Sequence, residues 1–212
     1  TTPITGTITV TPTYTNGGAT CSGTPINFTI TVNPSPTVNA VTNQTLCAGS
    51  STAAINFSGN LASTVYNWTN SNTSIGLPAS GTGDIASFIA INGGTTVVVA
   101  TITVTPVFTN AGVTCPGTPR NFTITVNPIP TVNAVNNQTV CAGAMTTAIT
   151  FTGAVAGSSY SWINSNTAIG LGAGGTGNIA AFTAVNGGTT PITGTITVTP
   201  TYTNGGATCS GT

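Results

Sequence analysis

Charge is almost absent from this chain. Of 212 residues one is basic, one is acidic and none is histidine, whereas an ordinary soluble domain is about a quarter charged. The two ionic side chains are Asp84 and Arg120. This scarcity excludes whole classes of chemistry. General acid–base catalysis needs a titratable pair within reach of a substrate, and a nucleophilic Ser or Thr needs a base to take its proton. Calcium asks for several carboxylates. Zinc asks for closely spaced Cys and His, and no Cys-x-x-Cys occurs. Nucleic acid is held by a basic surface, which a single Arg does not make. The glycine-rich residues 172–177 are followed by neither Lys nor a helical pattern, so they are not a phosphate loop. The sequence therefore predicts no enzyme, no cofactor, no metal and no nucleic-acid partner. It contains no run of 18 apolar residues, so no membrane-inserted helix is expected, and no signal-peptide pattern is seen. With so little to titrate or to screen, stability should hardly change between about pH 4 and 9 or with salt. The near-zero net charge favours association.

What fills the chain instead is repetition. Residues 1–24 are identical to residues 189–212. Cys21, Cys115 and Cys209 fall 94 residues apart, as do Cys47 and Cys141, Trp68 and Trp162, and Asn92 and Asn186. The chain is a tandem array with a 94-residue period and a 188-residue super-period, a pattern that sets the architecture before anything else is read. Its duplicated ends lead us to expect a window of a longer repetitive polymer.

The pattern within each period is that of strands. Thr7-Ile8-Thr9-Val10-Thr11 alternates strictly, as do residues 101–105 and 195–199, and Phe28-Thr29-Ile30-Thr31-Val32 recurs at residues 122–126. Such segments are half-buried antiparallel strands rich in β-branched residues. Turn signals, Asn16-Gly17-Gly18 and Asn186-Gly187-Gly188 among them, separate these segments. Within one period strands are expected near residues 37–41, 51–57, around Tyr66 and Trp68, 85–91, 96–108 and 121–126, with a glycine-rich connection carrying Ile75-Gly76-Leu77 and a loop carrying Cys115. About seven short strands with a Trp on the third suggest an immunoglobulin-like sandwich. The expected organisation is all-β, in tandem modules: residues 1–35 the end of a preceding module, 36–129 a complete one, and 130–212 a second one without its last strand. Asn33-Pro34-Ser35-Pro36 and Asn127-Pro128-Ile129-Pro130 join the modules. Two prolines in so short a joint make it stiff.

Val32-Asn33-Pro34, Cys47-Ala48-Gly49, Tyr66-Asn67-Trp68 and Cys115-Pro116-Gly117, with their counterparts 94 residues on, together resemble the PKD-like and Ig-like repeats of very large surface proteins of Bacteroidota-type bacteria. The resemblance covers the whole chain. It departs from the PKD signature after Trp68, where Thr69-Asn70-Ser71 stand in place of an acidic stretch. It implies secretion, display at the cell surface, and a structural role in adhesion, gliding or matrix.

Two cysteines per period in an exported protein read as disulfides. Sandwich topology puts Cys47 at the bottom of its module and Cys115 at the top, farther apart than the roughly 7 Å that a bridge allows between Cα atoms. In an end-to-end array the bottom of one module faces the top of the next. The favoured pairing is therefore an inter-module staple, Cys47–Cys209, repeated by Cys141 with a further module. The alternatives are in-module bonds, Cys47–Cys115 and Cys141–Cys209, and unbridged thiols throughout, Cys21 included.

Asp84 and Arg120 fall in one module, their counterparts being Asn178 and Ile26. They are read either as an ion pair at the top of the sandwich or as two unrelated surface substitutions. The aromatic residues Phe57, Tyr66, Trp68, Phe151, Tyr160 and Trp162 are read as core or core-edge. Thr7, Thr9, Thr11, Thr13 and Thr15 form an outward row, which recurs from Thr101 to Thr109 with Val107 as the exception. Thr is in any case a good exposed strand residue. Three functions follow as expectations. The first is a structural repeat of an extracellular filament or giant adhesin stalk, whose partners are neighbouring copies of the same repeat. The second is a multivalent module binding glycans, ice or other surfaces. The third is a fibre subunit completed by a donor strand.

Overall fold

The computed structural model describes residues 2–211. Among them the fold is all-β: fourteen strands and two single turns of 3-10 helix, with no α-helix. The strands are β1 (Ile4–Val10), β2 (Thr13–Asn16), β3 (Ala19–Ser22), β4 (Ile26–Val32), β5 (Gln44–Cys47), β6 (Val65–Asn70), β7 (Ser80–Thr82), β8 (Val98–Asn110), β9 (Val113–Pro116), β10 (Arg120–Asn127), β11 (Ser159–Asn164), β12 (Gly174–Thr176), β13 (Ile196–Asn204) and β14 (Ala207–Ser210).

The second repeat holds the largest sheet, ordered β5-β10-β8-β6-β7, with β9 folded back on the end of β8. β5 runs parallel to β10 and all other pairs are antiparallel. The alternation of β8 decides its faces: from Ala100 to Phe108 every second residue is buried, and the Thr side chains between them are half-buried. Facing this sheet are residues 51–57 and 85–91, which touch through the bridges Ser51↔Ile89 and Ile55↔Ile85. Ile55, Phe57 and Ile85 from that layer close one core with Trp68, Ile102, Val104, Phe122, Ile124 and Val126 from the sheet. Two layers around one apolar core are compatible with a β-sandwich. Phe57 lies 5.7 Å from Tyr66 and 6.5 Å from Phe122, centroid to centroid. The Trp68 ring lies over Gly81, and its Nε1 donates to the Gly83 carbonyl at 3.1 Å.

Several expected strands are corrected. Residues 37–41 form no strand. Single bonds hold them instead, Asn39 N–H donating to Ser58 O and Thr37 N–H to Asn60 Oδ1. The strand of that edge lies later, at β5, because there the backbone meets β10. Residues 51–57 and 85–91 make bridges rather than a ladder, since side chains take over part of the bonding: Phe88 N–H donates to Thr52 Oγ1, Ala53 N–H to Gln44 Oε1 and Phe57 N–H to Asp84 Oδ1. Cys115 lies within β9 rather than in a loop.

The duplicated 24-residue sequence shows what each strand partner contributes. At residues 4–10 the heptapeptide ITGTITV is strand throughout, because β4 pairs with all of it. In the third repeat the same heptapeptide, residues 192–198, is strand only from Ile196; no described residue pairs with it on that edge. Conversely, Thr11-Pro12 interrupts the first copy between β1 and β2, while Thr199-Pro200 is continuous within β13, where β11 lies alongside. Residues 138–141, twin of β5, also form no strand.

Candidate functional site at the repeat junction

The densest convergence of chemically distinctive side chains lies between the second and third repeats. It is built by the ends of β5 and β10 on one side and by the β13–β14 hairpin on the other. Cys47 stands opposite Asn127 in the parallel β5–β10 pair, and Cys209 opposite Tyr202 in the β13–β14 pair. Asn204-Gly205-Gly206-Ala207 closes that hairpin with positive φ at both glycines, 57° and 80°. This is the turn type whose twist suits a two-residue hairpin, and it holds the tip tight enough for Gly205 to lie against the Thr45 side chain of β5.

Across the junction Cys47 and Cys209 form a disulfide with Cα atoms 5.5 Å apart. This is the inter-module staple favoured on topological grounds. It leaves no sulfur of Cys47 or Cys209 for the rival in-module bonds. Cys21 and Cys141 are exposed, Cys115 is half-buried, and all three are unbridged. A disulfide fits an oxidising, extracellular-type compartment. Among the described residues no helix is long and apolar enough to cross a membrane.

Beside the staple lies a reciprocal amide contact that the sequence reading did not single out. Asn127 Nδ2 donates to Asn204 O at 3.0 Å, and Asn204 Nδ2 donates to Asn127 Oδ1 at 2.9 Å. Asn127 is fully buried, at 0 % exposure, and a polar group so placed must be bonded. The preceding junction repeats one of the two bonds, with Asn110 Nδ2 donating to Asn33 Oδ1 at 2.8 Å. The signal available in the sequence was the Val-Asn-Pro triplet ending each period. Asn127→Ala strips both bonds from Asn204 and should lower stability by about 2 kcal/mol, measured by urea unfolding. An unchanged midpoint would remove Asn127 from the junction's energetics.

The joint itself is a buried strap. Pro36, Pro128 and Pro130 are all fully buried. Pro36 O passes directly over the Cα of Gly117, and Pro130 O over that of Gly211, so that a Cβ at those glycines would stand 1.9 Å and 1.8 Å from the respective carbonyl oxygens. Each proline joint is thus locked to the hairpin of its own repeat, and that hairpin bonds to the repeat before.

Asp84 and Arg120 do not form an ion pair. Asp84 Oδ1 accepts from Phe57 N–H at 2.8 Å, and its twin Asn178 Oδ1 accepts from Phe151 N–H at 2.9 Å. The position needs an acceptor oxygen, not a charge, which is why Asp and Asn interchange there. Asp84→Asn is expected to be neutral and Asp84→Ala to cost about 1 kcal/mol; equal losses in thermal unfolding would refute this assignment. The Asp84 carboxylate has one electrostatic effect. Burial, and after it this negative charge, push the Tyr66 phenol above its ordinary value of 10.0, partly offset by a hydrogen bond with Thr64. A raised folded-state pKa favours the fold below the unfolded value and loses that contribution as pH rises through the folded one. Stability should therefore stay level through neutrality and decline once pH passes 10.0, which an alkaline unfolding series would test.

The exposed Thr rows are tied across strands, with hydroxyl pairs Thr5–Thr31 at 2.9 Å, Thr109–Thr114 at 3.2 Å and Thr203–Thr208 at 2.9 Å. No group of three or more His, Cys, Asp or Glu side chains gathers among the described residues. Compared with known families and with curated proteins, the chain matches no family model and no curated protein.

Proposed function

We propose that this chain is a structural repeat of an extracellular filament or of a giant surface adhesin stalk, non-catalytic, with immunoglobulin-like modules strung head to foot and neighbouring copies of the same repeat as its partners. The observation that carries this reading is the junction. A covalent bond, a buried amide pair and a buried proline strap all act between successive repeats, at positions that recur every 94 residues. A binding or catalytic domain would concentrate its unusual side chains in a pocket on one module. Here they lie where modules meet, and their effect is to fix the angle and spacing of one bead against the next. In such arrays each unit contacts mainly its neighbours, so length grows by adding copies. The low charge fits this use, because copies brought close together repel one another little. Display at the cell surface is part of the proposal and rests on the disulfide and on the resemblance of the repeat motifs to those of large surface proteins. Electron microscopy of the native particle tests it. The expected image is a thread with an axial repeat of one or two modules; a compact globule would overturn the reading.

A further inference from the structure

The Thr rows have no part in the junction. In the second repeat, at mid-chain, they fall on one face of the sheet and form a grid. Across β6, β8 and β10 the outward residues stand in register as Thr69–Thr103–Asn121, with Asn67–Thr105 on one side of that row and Thr101–Thr123 on the other. Same-face residues lie about 6.7 Å apart along a strand, and strands about 4.8 Å apart, so these side chains mark out a two-dimensional lattice. Its members are held in place. The Thr side chains of β8 and β10 are half-buried between their neighbours, and their branched Cβ restricts χ1. Thr82 Oγ1 of β7 donates to Asn67 Oδ1 at 3.0 Å. The grid recurs with the repeat: Thr7↔Thr29 is the twin of Thr101↔Thr123, and Ser161↔Thr199 that of Asn67↔Thr105.

What this face lacks narrows its partner. Neither ionic side chain is on it: Arg120 stands opposite Val104, in step with the core-facing residues, and Asp84 turns to the Phe57 N–H of the facing layer. A charged ligand therefore finds no counter-charge. Tyr66, Trp68, Phe108 and Phe122, the aromatic residues of these strands, all sit on the core side, so no ring is offered to a sugar. Another protein surface, a second copy included, would bury this dense set of hydroxyls and amides, which costs free energy wherever a partner atom is missing. A lattice of water imposes no such cost. Each Thr hydroxyl both donates and accepts and can stand where a lattice water would, while its methyl group fills the space between.

We propose that the Thr grid binds ice: the face docks on a crystal plane whose oxygen atoms repeat on the same scale. This goes beyond the filament reading and does not depend on it. The grid is ordered before contact, so little conformational freedom is lost on docking. Sheet twist confines any one contact to a few rows. Repetition offsets that limit, because each further repeat that reaches the same crystal binds at a high effective concentration.

The test grows ice slowly from a dilute solution of the 212-residue chain and measures the protein in the ice against that left in the liquid. Recrystallisation of small ice grains is followed in parallel. The wild-type chain is expected to be enriched in the ice and to arrest recrystallisation. Thr103→Tyr together with Thr199→Tyr sets a ring above the grid in the second and third repeats, at strand positions that tyrosine suits. This pair should lower the ice-bound fraction about tenfold. Thr101→Lys, which adds a hydrated charge to the same grid, is the second variant and should act in the same direction. Ala86→Tyr with Ala180→Tyr, at exposed positions outside the grid, should change nothing. Exclusion of the wild type from ice, an unchanged ice-bound fraction in the Thr variants, or an equal loss in the Ala variant would each overturn the proposal. So would a wild-type multimer that only the Thr variants break up, since the face would then belong to a second copy. None of these outcomes bears on the filament reading, which fails on particle shape alone.

Discussion

Cys47→Ser, or reduction of the wild-type bond, is expected to lower the stability of the repeat pair by about 5 kcal/mol. The number follows from chain entropy. A cross-link removes conformations from the unfolded chain roughly as the logarithm of the loop it closes, and Cys47 and Cys209 are 162 residues apart. Few bonds within one chain close a loop so long, so the effect lies near the upper end for a single disulfide. It should act on the junction more than on the repeat beneath it. The core around Ile75, Ile102, Ile124 and Val126 lies wholly within the second repeat, so that repeat should still fold when the bond is cut, while the β13–β14 hairpin lets go of β5. Urea unfolding followed with and without reductant measures the loss, with Cys21→Ser as the control that changes nothing. Coincident curves would show that the staple holds no more than the buried amides already hold.

Gly117→Ala should cost about 3 kcal/mol or more, the scale of severe overpacking. Its added methyl would meet the Pro36 carbonyl oxygen at 1.9 Å and the Pro106 ring at 2.9 Å. Neither can move aside easily, one being backbone and the other a fully buried ring. Relief would come only by lifting the proline joint off the hairpin, which loosens the module and its link to the one before. Gly93→Ala is the matched comparison, with nothing within 4 Å of its added Cβ and no left-handed backbone; it should leave the melting temperature nearly unchanged. Equal behaviour of the two variants would mean that the strap is not under steric control.

The parts of the fold legible in the sequence were those set by side-chain periodicity. β8 and β10 alternate Thr with Ile, Val or Phe, and the buried face of each is the apolar one. The Trp on β6 reached the core as expected. The junction bond was also legible, because strand order alone puts Cys47 and Cys115 at opposite ends of a sandwich. What stayed hidden were choices made by hydrogen bonds. Alternation at residues 51–57 and 85–91 says which side chains point inward, but not that Thr52, Gln44 and Asp84 would take backbone partners and reduce a ladder to bridges. Asp84 stayed open between two readings for a related reason: a carboxylate in a chain with one arginine invites pairing, while its Oδ1 serves as a neutral acceptor would. The Asn127–Asn204 contact left only the recurring Val-Asn-Pro triplet as a sign, because each amide looks like an ordinary turn or cap residue until the junction brings the two together.

The staple also sets how such a thread would answer a pull. Tension entering near Pro36 reaches Cys47 through a short segment and crosses the sulfur bridge directly to Cys209. The 162 residues of separation between the two cysteines lie outside that load path. Fully drawn out they would add about 550 Å of slack, at about 3.4 Å per residue. Locked behind the bond, they are withheld from extension. A fibre built this way resists lengthening until sulfur–sulfur linkages are reduced, so its compliance would be governed by the redox state of its surroundings rather than by how firmly each bead is folded.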